Sequence, residues 1–216
     1  MKKFLNFISH PVTIIFLVLI VDQWSKVLVK TTMYLGQEFP VLGNWFFIHF
    51  TENPGMAFGM EFGGDYGKLA LSLFRIVAVS AIGYVLFTLP KETPKGLKIC
   101  GALVLAGAIG NIIDSVFYGV IFNDSLNQLA SFLPAEGGYS SLLHGRVVDM
   151  FWFPLFEGTF PDWFPFWAGE EFLFFRPVFN IADASISIGI AMIFILYRDF
   201  FKSKPTQQEE EVTNLD

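Results

Sequence analysis

Apolar positions in this chain run together instead of alternating with polar ones. In four stretches they occupy every side of the backbone for about 20 residues, the length that crosses a hydrocarbon core. These stretches predict transmembrane helices over about 11–29, 69–89, 99–122 and 179–197. The first opens on the run from Val12 to Val21 and continues through Asp22, Gln23 and Lys26, whose polarity marks its outer end. No small-x-small cleavage site follows, so the segment reads as a retained anchor and not as a removed signal peptide, despite Lys2 and Lys3 ahead of it.

The connections differ. Over about 30–68, Phe39, Val41, Trp45, Phe47, Ile48 and Phe50 fall at strand-like spacing around Pro40 and Gly43-Asn44, which predicts a small β-sheet. Over about 123–178 the aromatic density, from Phe151-Trp152-Phe153 to Phe172, Phe174 and Phe175, suits a headgroup layer. Pro134 and Gly137-Gly138 break any long helix there, so short interfacial helices and turns are expected. The fold class is thus all-α transmembrane: a four-helix membrane bundle with a small β-rich first outer loop and an aromatic-rich interfacial second outer segment. Residues 1–202 read as a single domain and 203–216 as a disordered acidic cytoplasmic tail.

Composition agrees with lipid as solvent, since 53% of the 216 residues are hydrophobic and only 16% are charged. The soluble reading is weak on that balance. The single cysteine, Cys100, rules out an internal disulfide and has no ligand-spaced neighbours, so no metal or cofactor is implied. Much of the acidity behind the net charge of −6 sits in Glu209-Glu210-Glu211 and Asp216, and no nucleic-acid partner is expected. Lys2 and Lys3, then Lys91, Lys95 and Lys98, then Arg198, Lys202 and Lys204 cluster at alternate span ends. The positive-inside rule makes those ends, and both termini, cytoplasmic.

Ionisable groups at membrane depth cost about 2.5–3.5 kcal/mol each on insertion scales, so Asp22, Asp114, Asp183 and Arg75 each need a reason. Arg75 can snorkel or pair with a carboxylate. Asn111 and Asp114 on the third span, and Asn180 and Asp183 on the fourth, share an i, i+3 spacing that puts each pair on one helical face. Asp149, flanked by Val147, Val148 and Met150, can dip to the same depth. Any one of these can be a hydrogen-bonding tie between helices. The set, gathered near the outer ends, points to chemistry. Two carboxylates in a low dielectric share one proton, so one can take a proton from water while the other gives one to a carbonyl oxygen. Residue chemistry alone leaves open whether Asp149 or Asp114 partners Asp183. His10, His49 and His144 are scattered, Ser25-Lys26 point apart on a helix, and Gly63-Gly64-Asp65 reads as a turn. A proton-coupled transporter using the aspartates as a relay, and a non-enzymatic scaffold, are the alternatives.

Five blocks resemble the lipoprotein signal peptidases, the type II signal peptidases of bacteria. In order they are Val21-Asp22-Gln23-Trp24-Ser25-Lys26, Glu52-Asn53-Pro54-Gly55-Met56-Ala57-Phe58-Gly59, Gly110-Asn111-Ile112-Ile113-Asp114, Val147-Val148-Asp149 and Phe179-Asn180-Ile181-Ala182-Asp183. The resemblance implies that Asp149 and Asp183 are a catalytic dyad. It gives Asn53, Gly55, Asn111, Asp114 and Asn180 to substrate and dyad positioning, and Asp22 to support of the fold. It also implies a diacylglyceryl-modified prolipoprotein cut before its lipidated cysteine, a monomer in the inner membrane among lipid, an active site toward the outer leaflet, and inhibition by a cyclic lipopeptide of the globomycin type. Two departures stand out. Ser115 occupies the place where the family usually has Arg, so that charge must come from elsewhere, with Arg146 or Arg176 as candidates. Segments 120–144 and 151–177 are longer than the family's usual spacing, room for a lid or a partner contact.

Overall fold

Pro11 starts the first helix because its fixed φ suits the first helical position and its missing N–H is not needed there. His10 caps it, its Nδ1 accepting from the Val12 N–H at 3.3 Å. In the computed structural model, which describes residues 7–54, 64–174 and 176–201, this helix is α1, Pro11–Thr32. Two further long helices follow, α2 at Gly64–Thr88 and α3 at Lys95–Ile113. The third continues through a π-helical turn, Asp114–Tyr118, and a last turn, Gly119–Ile121. The fourth helix, α4, covers Ile181–Leu196. Three of these are long and apolar enough to cross a bilayer, and the fourth is a shorter apolar helix. At 16 residues α4 is about 24 Å long, shorter than the expected span because Phe179 and Asn180 belong to a strand and a cap.

Small residues on α3 let it sit at the centre of the bundle, against α4, α1 and α2. A Cβ on Gly107 would lie 2.2 Å from the Ala182 carbonyl oxygen, and one on Gly110 would lie 2.7 Å from Asp22 Oδ2. Backbones meet there directly.

The end of the bundle away from Lys91, Lys95 and Lys98 is capped by β-structure. Strands β1, Glu38–Leu42, and β2, Phe46–Asn53, form the hairpin that the first loop predicted, turning at Gly43 with φ +51°. Pro40 is tolerated because β1 is an exposed edge. The sheet does not stop there. Val147–Trp152 (β3) pairs with β2, and Val178–Phe179 (β6) pairs with β3, giving one antiparallel sheet in the order β1-β2-β3-β6. A separate ribbon, β4 at Phe156–Thr159 with β5 at Glu171–Phe174, rises between them.

This corrects two expectations. The chain is not all-α, and among the described residues of 123–178 there are strands and turns but no interfacial helices. Repeated prolines, Pro134, Pro154, Pro161, Pro165 and Pro177, exclude helix, and the β-branched and aromatic run Val147–Trp152 finds a partner strand in β2. One apolar cluster joins helices to sheet: Val29 from α1 and Met33 at its C-cap, Phe50 from β2, Tyr118 and Phe122 beyond α3, and Val148 and Met150 from β3. Gly55, the motif residues 56–59, Gly63, Phe175, Lys2, Lys3, Lys202, Lys204 and the tail 203–216 lie outside the described residues.

Candidate active site

Asp22, Lys26 and Lys30 recur every four residues on α1 and therefore form one stripe, and all three are buried. Lys26 Nζ sits 3.0 Å from Asp22 Oδ2, 2.9 Å from Asp114 Oδ2 and 3.0 Å from Asn111 Oδ1. One ammonium thus serves two carboxylates and an amide. Asp114 accepts further from Gln23 Nε2 at 2.9 Å and from the Val148 N–H at 3.2 Å, and is fully buried. Asp22 Oδ1 accepts from the Ala182 N–H at 2.9 Å, tying α1 to the start of α4.

The Asn180/Asp183 spacing has a different cause from the one the sequence suggests. Asn180 is not on the helix but is its N-cap: its side chain accepts from the Asp183 N–H at 2.9 Å, and Asp183 Oδ2 accepts from the Asn180 N–H at 3.2 Å. This capping box holds the Asp183 carboxylate at the positive end of the α4 dipole. Asn111 Nδ2 donates to Asp183 Oδ1 at 2.7 Å.

Strand periodicity places the third acid. Val148 and Met150 face the apolar cluster, so Asp149 between them faces the other way, paired across the ladder with Thr51. Its Oδ1 accepts from Asn180 Nδ2 at 2.7 Å, and Asn180 Nδ2 also reaches Asn111 Oδ1 at 3.2 Å. A continuous chain therefore runs Asp149, Asn180, Asn111, Asp183. Both aspartates line one open cleft of about 600 Å³, together with Thr51, Glu52, Asn53, Arg176 and Phe179. Burial, then the like charge of Asp183, pushes the Asp149 carboxyl up to about 7. Among the described residues, Asp149 and Asp183 take part in no ion pair, whereas Asp22 and Asp114 share Lys26.

Behind the cleft lies a second charged knot. Glu52 binds Lys30, accepts from Ser125 Oγ at 2.8 Å, and pairs with Arg146 at 3.0 Å. Burial opposes ionisation of Glu52, but Lys30, Ser125 and Arg146 outweigh it and hold the carboxyl below its usual range. Arg146 also reaches Asp124 at 3.3 Å and stacks on Tyr139. Its charge is committed to these partners, while Arg176 stands exposed at the cleft mouth. Sequence reasoning assigned no role to Gln23, Lys26, Lys30 or Glu52. The i, i+4, i+8 stripe on α1 was the signal available, since polar residues ending a span at the surface would not share one face. Among the described residues no group of His, Cys, Asp and Glu forms a metal cluster.

A family model described as Signal peptidase (SPase) II matches residues 14–198. A lipoprotein signal peptidase of Porphyromonas gingivalis is 56% identical over 186 residues, spanning 85% of this chain and 80% of that protein. One from Amoebophilus asiaticus is 39% identical over 204 residues, 92% and 82% of the two chains. A bacterial membrane enzyme solved by the in meso method at 1.9 Å superposes with a TM-score of 0.59 at 26% identity, covering 92% of this chain and 96% of that one. A family model along most of the chain, with relatives this similar over most of their own lengths, means that the chain belongs to the signal peptidase II family, the lipoprotein signal peptidases.

Proposed function

We propose that Asp149 and Asp183 are the catalytic dyad of an aspartic endopeptidase that removes signal peptides from prolipoproteins. Such removal is the activity of the family, and the transporter and scaffold readings give way to it. The observation that carries the dyad assignment is the shared cleft: of the three acids described as lining it, Glu52 is tied up by Lys30 and Arg146, which leaves Asp149 and Asp183, and Asp114 is engaged on both oxygens elsewhere.

Asp149, whose carboxyl is pushed up to about 7 by burial and by Asp183, carries the shared proton and is the acid. Asp183, held by two N–H donors at a helix start, is the base. A water between them loses a proton to Asp183 as its oxygen attacks the scissile carbonyl, and the carbonyl oxygen receives the Asp149 proton. Breakdown of the tetrahedral diol returns one proton from it to Asp149 as the carbonyl reforms, and sends the proton on Asp183 to the leaving amine. The dyad ends as it began. The substrate is a prolipoprotein carrying diacylglycerol on its cysteine, cut immediately before that residue. Its acyl chains stay in the outer leaflet of the inner membrane while the bond meets water in the cleft. Asn53, Asn111 and Asn180 position dyad and substrate, Asp22 and Asp114 with Lys26 lock the helices beneath it, and the enzyme acts as a monomer. A cyclic lipopeptide of the globomycin type would occupy the same cleft.

The test is a gel-shift cleavage assay on a lipidated prolipoprotein. Asp149→Asn and Asp183→Asn each lower kcat by roughly 10²–10⁴-fold while retaining the wild-type thermal unfolding transition. Near-normal cleavage by either folded variant removes the dyad.

A further inference from the structure

Arg75 lies in the middle of α2, a half-buried guanidinium within a span, where a cation without a task is expensive. Its Nη1 donates to Ser115 Oγ at 3.2 Å. Ser115 in turn donates to the Asn111 carbonyl oxygen at 2.9 Å, and the Asn111 amide holds Asp183. Ser115 is the first residue after Asp114, inside the π-helical turn, and its backbone carbonyl accepts from the Gly145 N–H at 2.9 Å. The guanidinium also interacts electrostatically with Asp183 and, more weakly, with Asp149.

The distribution of charge around the site gives this placement its meaning. Lys26 is committed to Asp22 and Asp114, and Lys30 and Arg146 to Glu52. Among the described residues neither cleft aspartate forms an ion pair with those cations, although Lys26 acts on Asp149 through space. Arg176 faces the cleft from its exposed mouth and is screened by solvent, whereas Arg75 approaches from within the bundle, where a charge acts at lower dielectric. A fixed cation behind two carboxylates limits the repulsion that builds when the shared proton leaves, and it opposes the developing negative charge on the carbonyl oxygen.

We propose that Arg75 is a positioning residue for the peptidase reaction: docked on Ser115 from the second span, it supplies the fixed positive charge that sets the protonation of the Asp149/Asp183 pair. The cation absent at position 115 thus arrives from a different helix. The inference rests on the dyad reading above.

Full-length Arg75→Gln and Arg75→Lys enzymes, compared with wild type in the lipidated prolipoprotein assay across pH, test it. Gln keeps a donor for Ser115 and removes the charge; Lys keeps the charge. Arg75→Gln should lower kcat by roughly 10²-fold with KM little changed. It should also move both limbs of the pH–rate profile upward by about one unit, because losing a nearby cation favours the protonated carboxyls. Lys26 and Asp114, the other charges felt by Asp149, are unaltered in both variants. Arg75→Lys should stay within about tenfold of wild type with an unmoved profile. Equal losses in both variants, or a profile unmoved by Gln, overturn the assignment. If Asp149→Asn and Asp183→Asn are inactive while Arg75→Gln behaves as wild type, only Arg75 falls. If the Asn variants remain active, the dyad itself falls.

Discussion

Asp149 illustrates how one side chain carries both chemistry and a stability signature. Its carboxyl is pushed up to about 7 by burial and by Asp183, from an ordinary value of 3.8. Cleavage should therefore decline as pH rises through about 7, when the pair loses its shared proton; a kcat/KM profile flat to pH 9 would contradict the acid role. The stability effect has the same sign. Between about pH 4 and 7 the folded protein holds a proton that the unfolded chain has released, so this group's contribution falls as pH rises across that window. Lys26 makes the opposite kind of case. Replacing it with Met leaves Asp22 and Asp114 buried with no ammonium between them, and should cost about 3–5 kcal/mol. Thermal unfolding in detergent measures it; a loss under about 1 kcal/mol would mean that the triad is not holding α1 to α3.

Element by element, α3 is the pivot. It packs on its neighbours through the absence of side chains, and at Gly107, against the α4 backbone, an added Cβ would also lie 2.6 Å from Ser185 Oγ. Gly107→Ala should lower stability by about 1–3 kcal/mol and loosen α4, so cleavage falls with it. An unfolding midpoint unchanged from wild type would show that the helices can separate without consequence. Its last turns widen into a π-helix at Asp114–Tyr118, a device that commonly marks functional sites. Residues 138–145 clamp that turn. Gly145 would place a Cβ 1.9 Å from the Asp114 carbonyl oxygen, and Leu143 sits at φ +70°, its carbonyl accepting from Ser72 Oγ at 2.8 Å. The insertion 120–144 therefore packs directly on the segment that carries Asp114 and Ser115. The 151–177 insertion reaches the site differently, because Arg176 lines both the cleft and the groove of the β4–β5 ribbon.

For the whole molecule, orientation is the property with the sharpest test. Lys91, Lys95 and Lys98 stand at one end of the bundle beside the start of α1, and the sheet with its cleft stands at the other. The positive-inside rule predicts that the lysine end is cytoplasmic. In a Cys100→Ala background, Asp162→Cys should react with a membrane-impermeant maleimide from outside intact cells, and Glu92→Cys only after permeabilisation. The reverse pattern would turn the enzyme over and remove the outer-leaflet site.

Four apolar helices, one of them shorter than the expected span, and the hairpin around Gly43 were readable from residue order. Bilayer length and the cost of charge in lipid act locally, and both are legible without knowing what packs on what. The resemblance carried the choice of Asp149, which residue chemistry had left level with Asp114. What only the tertiary structure decided was partnership. Strand pairing between segments nearly a hundred residues apart turned an expected interfacial layer into one sheet, and set Asp149 opposite Thr51 on its face toward the cleft. Packing of α1 on α3 gave Lys26 to Asp114, taking that acid out of the cleft, and brought Arg75 to Ser115 from a separate helix. Long-range contacts of this kind depend on shape and on which buried charge meets which, and no spacing along the chain encodes them.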